Sequence, residues 1–210
     1  MIKVFFGGTF DPIHNGHIKL SLHVNNVLNA KVSLMPNSGT PNYKPKPIAT
    51  EADRLKMLEI IVNKYNTQID LELNEMEQKK FSPSVDTLKR LRSKYGENTQ
   101  FWFIIGGDSL INLDTWDNWE ELFGLTNFIV AMRPKYKIAD ATEILQNEIK
   151  SRLCNKITSN TYGKIYLTNF SPVDISSTAI RNNIMAGNIN SLVDHNVYQY
   201  IIDNNLYIKK

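Results

Sequence analysis

His14 and His17 stand three residues apart, separated by Asn15 and Gly16, and close the stretch VFFGGTFDPIHNGHIKL at residues 4–20. Apolar residues at Ile18, Leu20, Leu22, Val24, Val27 and Leu28 follow and mostly suit one broad helical face, so both imidazoles are expected at a helix N-terminus. Free backbone N–H groups and the positive end of the macrodipole attract anions there. Two imidazoles and a glycine at such a point make a phosphate site. A lone histidine near a helix start is ordinarily a cap or a surface residue, so the joint spacing carries the reading. The pair has no third ligand nearby in the sequence, and a protein-held metal is not expected.

Ile2 to Phe6 must position this cluster: a short β-branched and aromatic run that reads as a buried strand, ending in Gly7-Gly8 as a turn where backbone comes close to something. Pro12 fixes its own φ and biases Asp11 toward extended backbone. Lys31 to Met35 is a second strand, which makes the opening a βαβ unit with a right-handed crossover and a parallel sheet. Residues 36–47, with four prolines, form a loop beyond a strand's carboxyl end, where open α/β sheets bind ligands. Thr50 caps a helix with Asp53 three residues on, and Ile69 to Leu73 is a weaker strand.

Further along, Val85, Leu88 and Leu91 mark an amphipathic helix whose lysines and arginines read as solvated. Gln100 to Ile105 is a central strand leading directly into Gly106-Gly107-Asp108-Ser109. Trp116 and Trp119 fall in a helical DTWDNWEELF segment, where core or interface anchors are the ordinary use of the ring. Phe128 to Met132 and Lys164 to Thr168 read as strands, and Ala139 to Leu153 as a mostly exposed helix. Residues 174–181 (DISSTAIR) place Ser176 and Ser177 at a helix start and Arg181 one turn inside, a second oxyanion-binding arrangement, with Gly187 ending that helix.

Composition bounds the class. With 210 residues, 42% hydrophobic and 21% charged, the chain has material for one sizeable α/β domain over residues 1–210. A formal charge of +3 with scattered lysines argues against nucleic acid and suits acidic small molecules. Cys154 is the single cysteine, which excludes an intrachain disulfide and fits a reducing, cytoplasmic location. No apolar stretch reaches membrane-spanning length, and no repeat, P-loop or G-x-G-x-x-G fingerprint occurs.

The succession GGTFDPIHNGH, a proline-rich loop, SPSVDTL, FIIGGDSL, W-x-x-W, FIVAMRP and ISSTAIR resembles bacterial nicotinate-nucleotide adenylyltransferases, within the H-x-G-H nucleotidyltransferases, over most of the chain. That resemblance implies a Rossmann-like fold, one doubly wound parallel sheet flanked by helices, with helices from about 176 completing the triphosphate site. It also implies adenylyl transfer from ATP to nicotinate mononucleotide, with Mg²⁺ arriving with ATP. By matching position, Gly8, Thr9, Phe10, His14, His17, Ser176, Ser177 and Arg181 would hold the triphosphate, with Gly106 and Asp108 on the adenosine side. Trp116 would stack on the pyridine, backbone near Ser84 and Asp117 would receive its carboxylate, and Lys44 would meet the mononucleotide phosphate. The chain departs from the family at Pro41-Asn42-Tyr43-Lys44, where a histidine usually precedes the basic residue, and at Asp194, usually proline. A pantetheine-phosphate adenylyltransferase-like enzyme and an inactive nucleotide sensor are the competing readings, and a homo-oligomer is left open.

Overall fold

The β-branched and aromatic residues after Met1 form β1 (Ile2–Gly8), and the strand continues through both glycines before the chain turns at Asp11 and Pro12. The computed structural model describes residues 1–40, 45–133, 135–157, 159–171, 175–184 and 191–208. Pro41 to Lys44, Asp174 and Gly187 lie outside the described residues. In chain order the elements are β1, α1 (Asn15–Leu28), β2 (Val32–Pro36), α2 (Glu51–Lys64), β3 (Ile69–Leu71), α3 (Ser84–Tyr95), β4 (Gln100–Gly106) and α4 (Gly107–Leu110). There follow α5 (Trp119–Leu122), β5 (Asn127–Ala131), α6 (Glu143–Arg152), β6 (Leu153–Cys154), β7 (Ile165–Leu167), α7 (Ser177–Asn183) and α8 (His195–Asp203).

Seven strands make one sheet in the order β3-β2-β1-β4-β5-β7-β6. The pairs β1/β4, β2/β3, β4/β5, β5/β7 and β6/β7 are all parallel. The chain order reverses at the β1/β4 neighbours, the doubly wound arrangement that the strand–helix alternation implies. No described helix is long and apolar enough to cross a membrane.

The chain divides into two compact units, Met1–Gly7 with Ser82–Pro172 and Gly8–Phe81 with Val173–Lys210. In the first, Phe5 meets Phe101 edge to face at 5.1 Å and Phe128 packs against Phe123 at 5.8 Å. The arginines of α3 are not all solvated as expected: Arg92 is only 2% exposed. Its guanidinium donates to the carbonyls of Leu125, Glu97, Thr99 and Thr161 at 2.6–3.2 Å and lies 4.0 Å from the Phe101 ring. The DTWDNWEELF segment is also not one helix. Asn118 takes a left-handed φ of 48°, and only Trp119 to Leu122 continue as α5. Both tryptophans are half-buried instead of core. The expected helix at 139–153 begins only at Glu143, where Thr142 caps it.

In the second unit α2 packs on α8, with Met57, Leu58, Ile61, Val197 and Ile201 fully buried. Asp194 caps α8 by accepting from the Asn196 N–H at 2.9 Å and pairs with Lys64 at 2.6 Å. That pair is the use this chain makes of a position where the resemblance implies proline. Burial pushes the Asp194 carboxyl upward, but Lys64 and the N–H groups of Asn196 and Val197 outweigh it and hold the carboxyl below its ordinary value. A depressed folded pKa contributes stability at neutral pH that is lost as pH falls through that pKa. Asp194→Ala should therefore cost about 1 kcal/mol at pH 7, the usual scale of a lost N-cap, with the gap to wild type narrowing below about pH 4. Melting curves at pH 7 and pH 3 test this, and a gap independent of pH would remove the carboxylate's charge from the account.

Candidate active site

His14 is the N-cap of α1, and the two histidines cap each other. The His17 N–H donates to His14 Nδ1 at 3.4 Å, and the His14 N–H donates to His17 Nδ1 at 3.3 Å. The rings stack with centroids 3.6 Å apart and planes 17° from parallel. A ring nitrogen that accepts carries no proton, so each neutral imidazole holds its proton on Nε2. His14 is buried and His17 half-buried at this helix start. The expectation of free backbone donors is corrected in part: the His17 N–H is taken by His14, and the Asn15 N–H donates to Leu192 O at 2.8 Å.

The glycines serve the rings. A Cβ on Gly16 would stand 3.0 Å from the His14 imidazole, and one on Gly8 would stand 3.0 Å from the Phe10 ring. Phe10, with a left-handed φ of 50°, places that ring edge-on to His17 at 5.1 Å. What Gly8 admits is thus a side chain of its own turn. Phe10, His17 and His14 form one column with a glycine at either end.

The second cluster reaches this turn from 165 to 170 positions away. Ser177 donates its hydroxyl to Pro12 O at 2.9 Å, while Ser176 caps α7 by accepting from the Ala179 N–H at 3.1 Å. Arg181 donates through Nη1 to Asp11 O at 2.6 Å and through Nη2 to Thr178 Oγ1 at 3.1 Å. Gly8, Thr9, Phe10, His14, His17, Ser176, Ser177 and Arg181 all fall within the same unit.

Arg54 went unforeseen. It is 1% exposed and donates to Thr9 O at 2.8 Å, Asn37 O at 2.8 Å and Asn37 Oδ1 at 3.3 Å, so it buttresses the turn from α2. Burial lowers its pKa, and Glu51 and Asp11 oppose that shift. It also borders a cavity of about 330 Å³ with Thr40, Lys46, Ala49, Glu51 and Phe81, beside the described part of the proline-rich loop. Spacing gave one weak signal, an arginine in the first turn of a helix otherwise read for its apolar face.

The other candidates belong to the first unit. Gly106 ends β4, and a Cβ there would collide with the Asp108 carboxylate, which is exposed in the first turn of α4. Ser84 opens α3, where N–H groups lack intrahelical acceptors. Trp116 is extended between a 3₁₀ turn and α5, half-buried, and Asp117 beside it is exposed. Lys44 lies outside the described residues.

A protein of Shewanella woodyi named as a probable nicotinate-nucleotide adenylyltransferase is 41% identical over 207 residues, covering 96% of each chain. The chain belongs to the nicotinate-nucleotide adenylyltransferase family. Its broader family model, cytidylyltransferase-like, matches residues 5–183 and so spans both the histidine motif and α7. A family member from Laribacter hongkongensis, also named as probable, is 35% identical over 184 residues, 87% of this chain and 83% of its own. Among solved structures, the Plasmodium falciparum nicotinic acid mononucleotide adenylyltransferase complexed with NaAD aligns at a TM-score of 0.77 and 24% identity. It covers 98% of this chain and 97% of its own, and at that identity it bears on the fold.

Proposed function

We infer that this chain transfers the adenylyl group of ATP to nicotinate mononucleotide, giving deamido-NAD and pyrophosphate in NAD biosynthesis. The observation that carries the reading is the reciprocally capped His14–His17 pair, whose Nε2–H groups suit phosphate oxygens, in a chain of this family. The attacking group is a phosphate monoester with a second pKa near 6, largely dianionic at neutral pH, so no protein base is required. Its oxygen forms a bond to the α-phosphorus as the bond to the pyrophosphate oxygen breaks, and the electron pair leaves with pyrophosphate. The protein's task is alignment and charge neutralisation, which we assign to His14, His17 and Arg181 with Gly8, Thr9, Phe10, Ser176 and Ser177 around the triphosphate.

Mg²⁺ would enter as part of the ATP substrate, held by its phosphates and waters. The buried Asp11 carboxylate is already taken by protein donors, and no group of three His, Cys, Asp or Glu stands together among the described residues. In the other unit Gly106 and Asp108 would serve adenosine, Trp116 the pyridine, and backbone near Ser84 and Asp117 its carboxylate, with Lys44 on the mononucleotide phosphate. We take residues 1–210 as one nucleotidyltransferase domain acting in the cytoplasm, where Cys154 stays reduced.

If two backbone donors face the pyridine substituent, a carboxylate accepts both, whereas an amide turns one N–H₂ toward a donor and leaves it unpaired. An unsatisfied buried donor costs about 1–3 kcal/mol, and charged acceptors bond about twice as strongly as neutral ones. A preference on the order of 10²-fold for nicotinate over nicotinamide mononucleotide follows. Trp116→Ala should weaken both substrates and keep most of that preference, since both rings stack alike. Pyrophosphate release with nicotinate mononucleotide, nicotinamide mononucleotide and 4′-phosphopantetheine as acceptors decides the reading. Equal kcat/KM for the two pyridines would overturn the substrate, and turnover with the pantetheine acceptor alone would replace it.

A further inference from the structure

Asp11 ties the histidine motif to three distant segments, at Ile48–Ala49, Arg181 and Tyr207. Only 4% exposed, it accepts the Ile48 N–H on Oδ2 at 2.9 Å, and on Oδ1 the Ala49 N–H at 3.1 Å and the Tyr207 hydroxyl at 2.8 Å. Its carbonyl takes Arg181 Nη1 at 2.6 Å, while that same nitrogen lies 3.7 Å from Oδ2. The carboxylate is thus held by three neutral donors and makes only a long ion pair with Arg181, at 3.7 Å. Burying a carboxylate requires such donors, and removing one changes where the remaining charge is satisfied.

We propose that Tyr207, near the end of the chain, is a positioning residue for the triphosphate site. Its hydroxyl engages Asp11 Oδ1 and thereby keeps the carboxylate from drawing Arg181 into a closed ion pair. The assignment rests on the reading of Arg181 as a phosphate ligand. Nothing in the sequence couples Tyr207 to Asp11, which lie 196 positions apart, and Tyr207 reaches it from a left-handed φ of 64°. Burial, followed by the Asp11 carboxylate, pushes the phenol's pKa up, so the group stays a protonated donor across the working range. Without the hydroxyl, Oδ1 keeps only the Ala49 N–H, and Arg181, already 3.7 Å from Oδ2 of the same carboxylate, is a cation in place to take up the charge left unsatisfied. An Arg181 closed onto Asp11 competes with an incoming anion for the same guanidinium, so the cost falls on ATP and not on the pyridine substrate.

The experiment is a double-mutant cycle on ATP affinity and kinetics with Tyr207→Phe, Arg181→Ala and both together. Tyr207→Phe should raise the ATP Kd and KM about fivefold to tenfold and leave the KM for nicotinate mononucleotide within twofold. In the Arg181→Ala background the same change should alter ATP affinity by less than twofold. Asp194→Ala serves as a stability control, lowering Tm in the same unit while leaving the hydroxyl in place, and should keep ATP affinity within twofold. Equal losses in both backgrounds, no loss in the wild-type background, or a loss matched by Asp194→Ala each overturn the role of Tyr207. Inorganic tripolyphosphate binding by calorimetry repeats the cycle without chemistry. A wild-type chain that binds ATP but adenylates no pyridine nucleotide refutes the proposed reaction while the cycle still decides Tyr207. Failure to bind either ligand overturns both.

Discussion

Replacing His17 by alanine is expected to lower kcat by roughly 10² to 10³, the usual cost of deleting one preorganised donor to developing charge. The loss should exceed that of a surface donor because His17 does three things at once: it offers an Nε2–H, accepts the His14 N–H, and supplies the ring on which His14 stacks. Its removal leaves His14 without a stacking partner and with a backbone donor uncapped, so both imidazoles lose their aim. The cap itself is worth about 1 kcal/mol, so the protein should remain folded with a modestly lower Tm. Pyrophosphate release together with circular dichroism separates these effects. A folded His17→Ala protein with near-normal turnover would remove the pair from the mechanism.

Arg92→Ala should be strongly destabilising, by about 3–5 kcal/mol, because it strips four backbone carbonyls of a charged donor in a buried setting. Against a typical domain stability of about 5–15 kcal/mol this is a large share of the whole. Lysine in its place should recover only part, since one ammonium has neither the planar fork nor the reach to serve carbonyls on several loops. Urea unfolding of the two variants measures the difference. A loss below about 1 kcal/mol for Arg92→Ala would mean that water replaces the guanidinium at little cost.

Much of the architecture was legible because it is written in local pattern. The runs at 2–6, 100–105 and 128–132 are long enough and apolar enough to be central strands, and Thr50 with Asp53 marked the start of α2 as the structure has it. Periodicity misleads where a charged side chain folds inward. Arg92 and Arg54 sit on helices whose apolar faces are clear, yet each guanidinium turns toward carbonyls 33 and 45 positions away. Such partners are set by tertiary approach. Gly7-Gly8 signals a turn where backbone comes close to something without saying what, and at Gly8 the neighbour is the Phe10 ring, as at Gly16 it is His14. The break at Asn118 was hidden because the spacing of Trp116, Trp119, Leu122 and Phe123 suits one helical face, and a single left-handed residue is enough to end a helix.

The ring column has a consequence for how this motif can drift. Gly8, Phe10, His14, Gly16 and His17 depend on one another sterically and through shared caps, so no single replacement among them is neutral to the rest. A methyl group at either glycine crowds a ring at 3.0 Å, and loss of either histidine uncaps the other. A change at one of these positions shifts the demands on the others, which makes them behave as one word instead of five letters. Positions outside the column, such as Asn15 on its exposed tether to Ser191, are freer to change spelling.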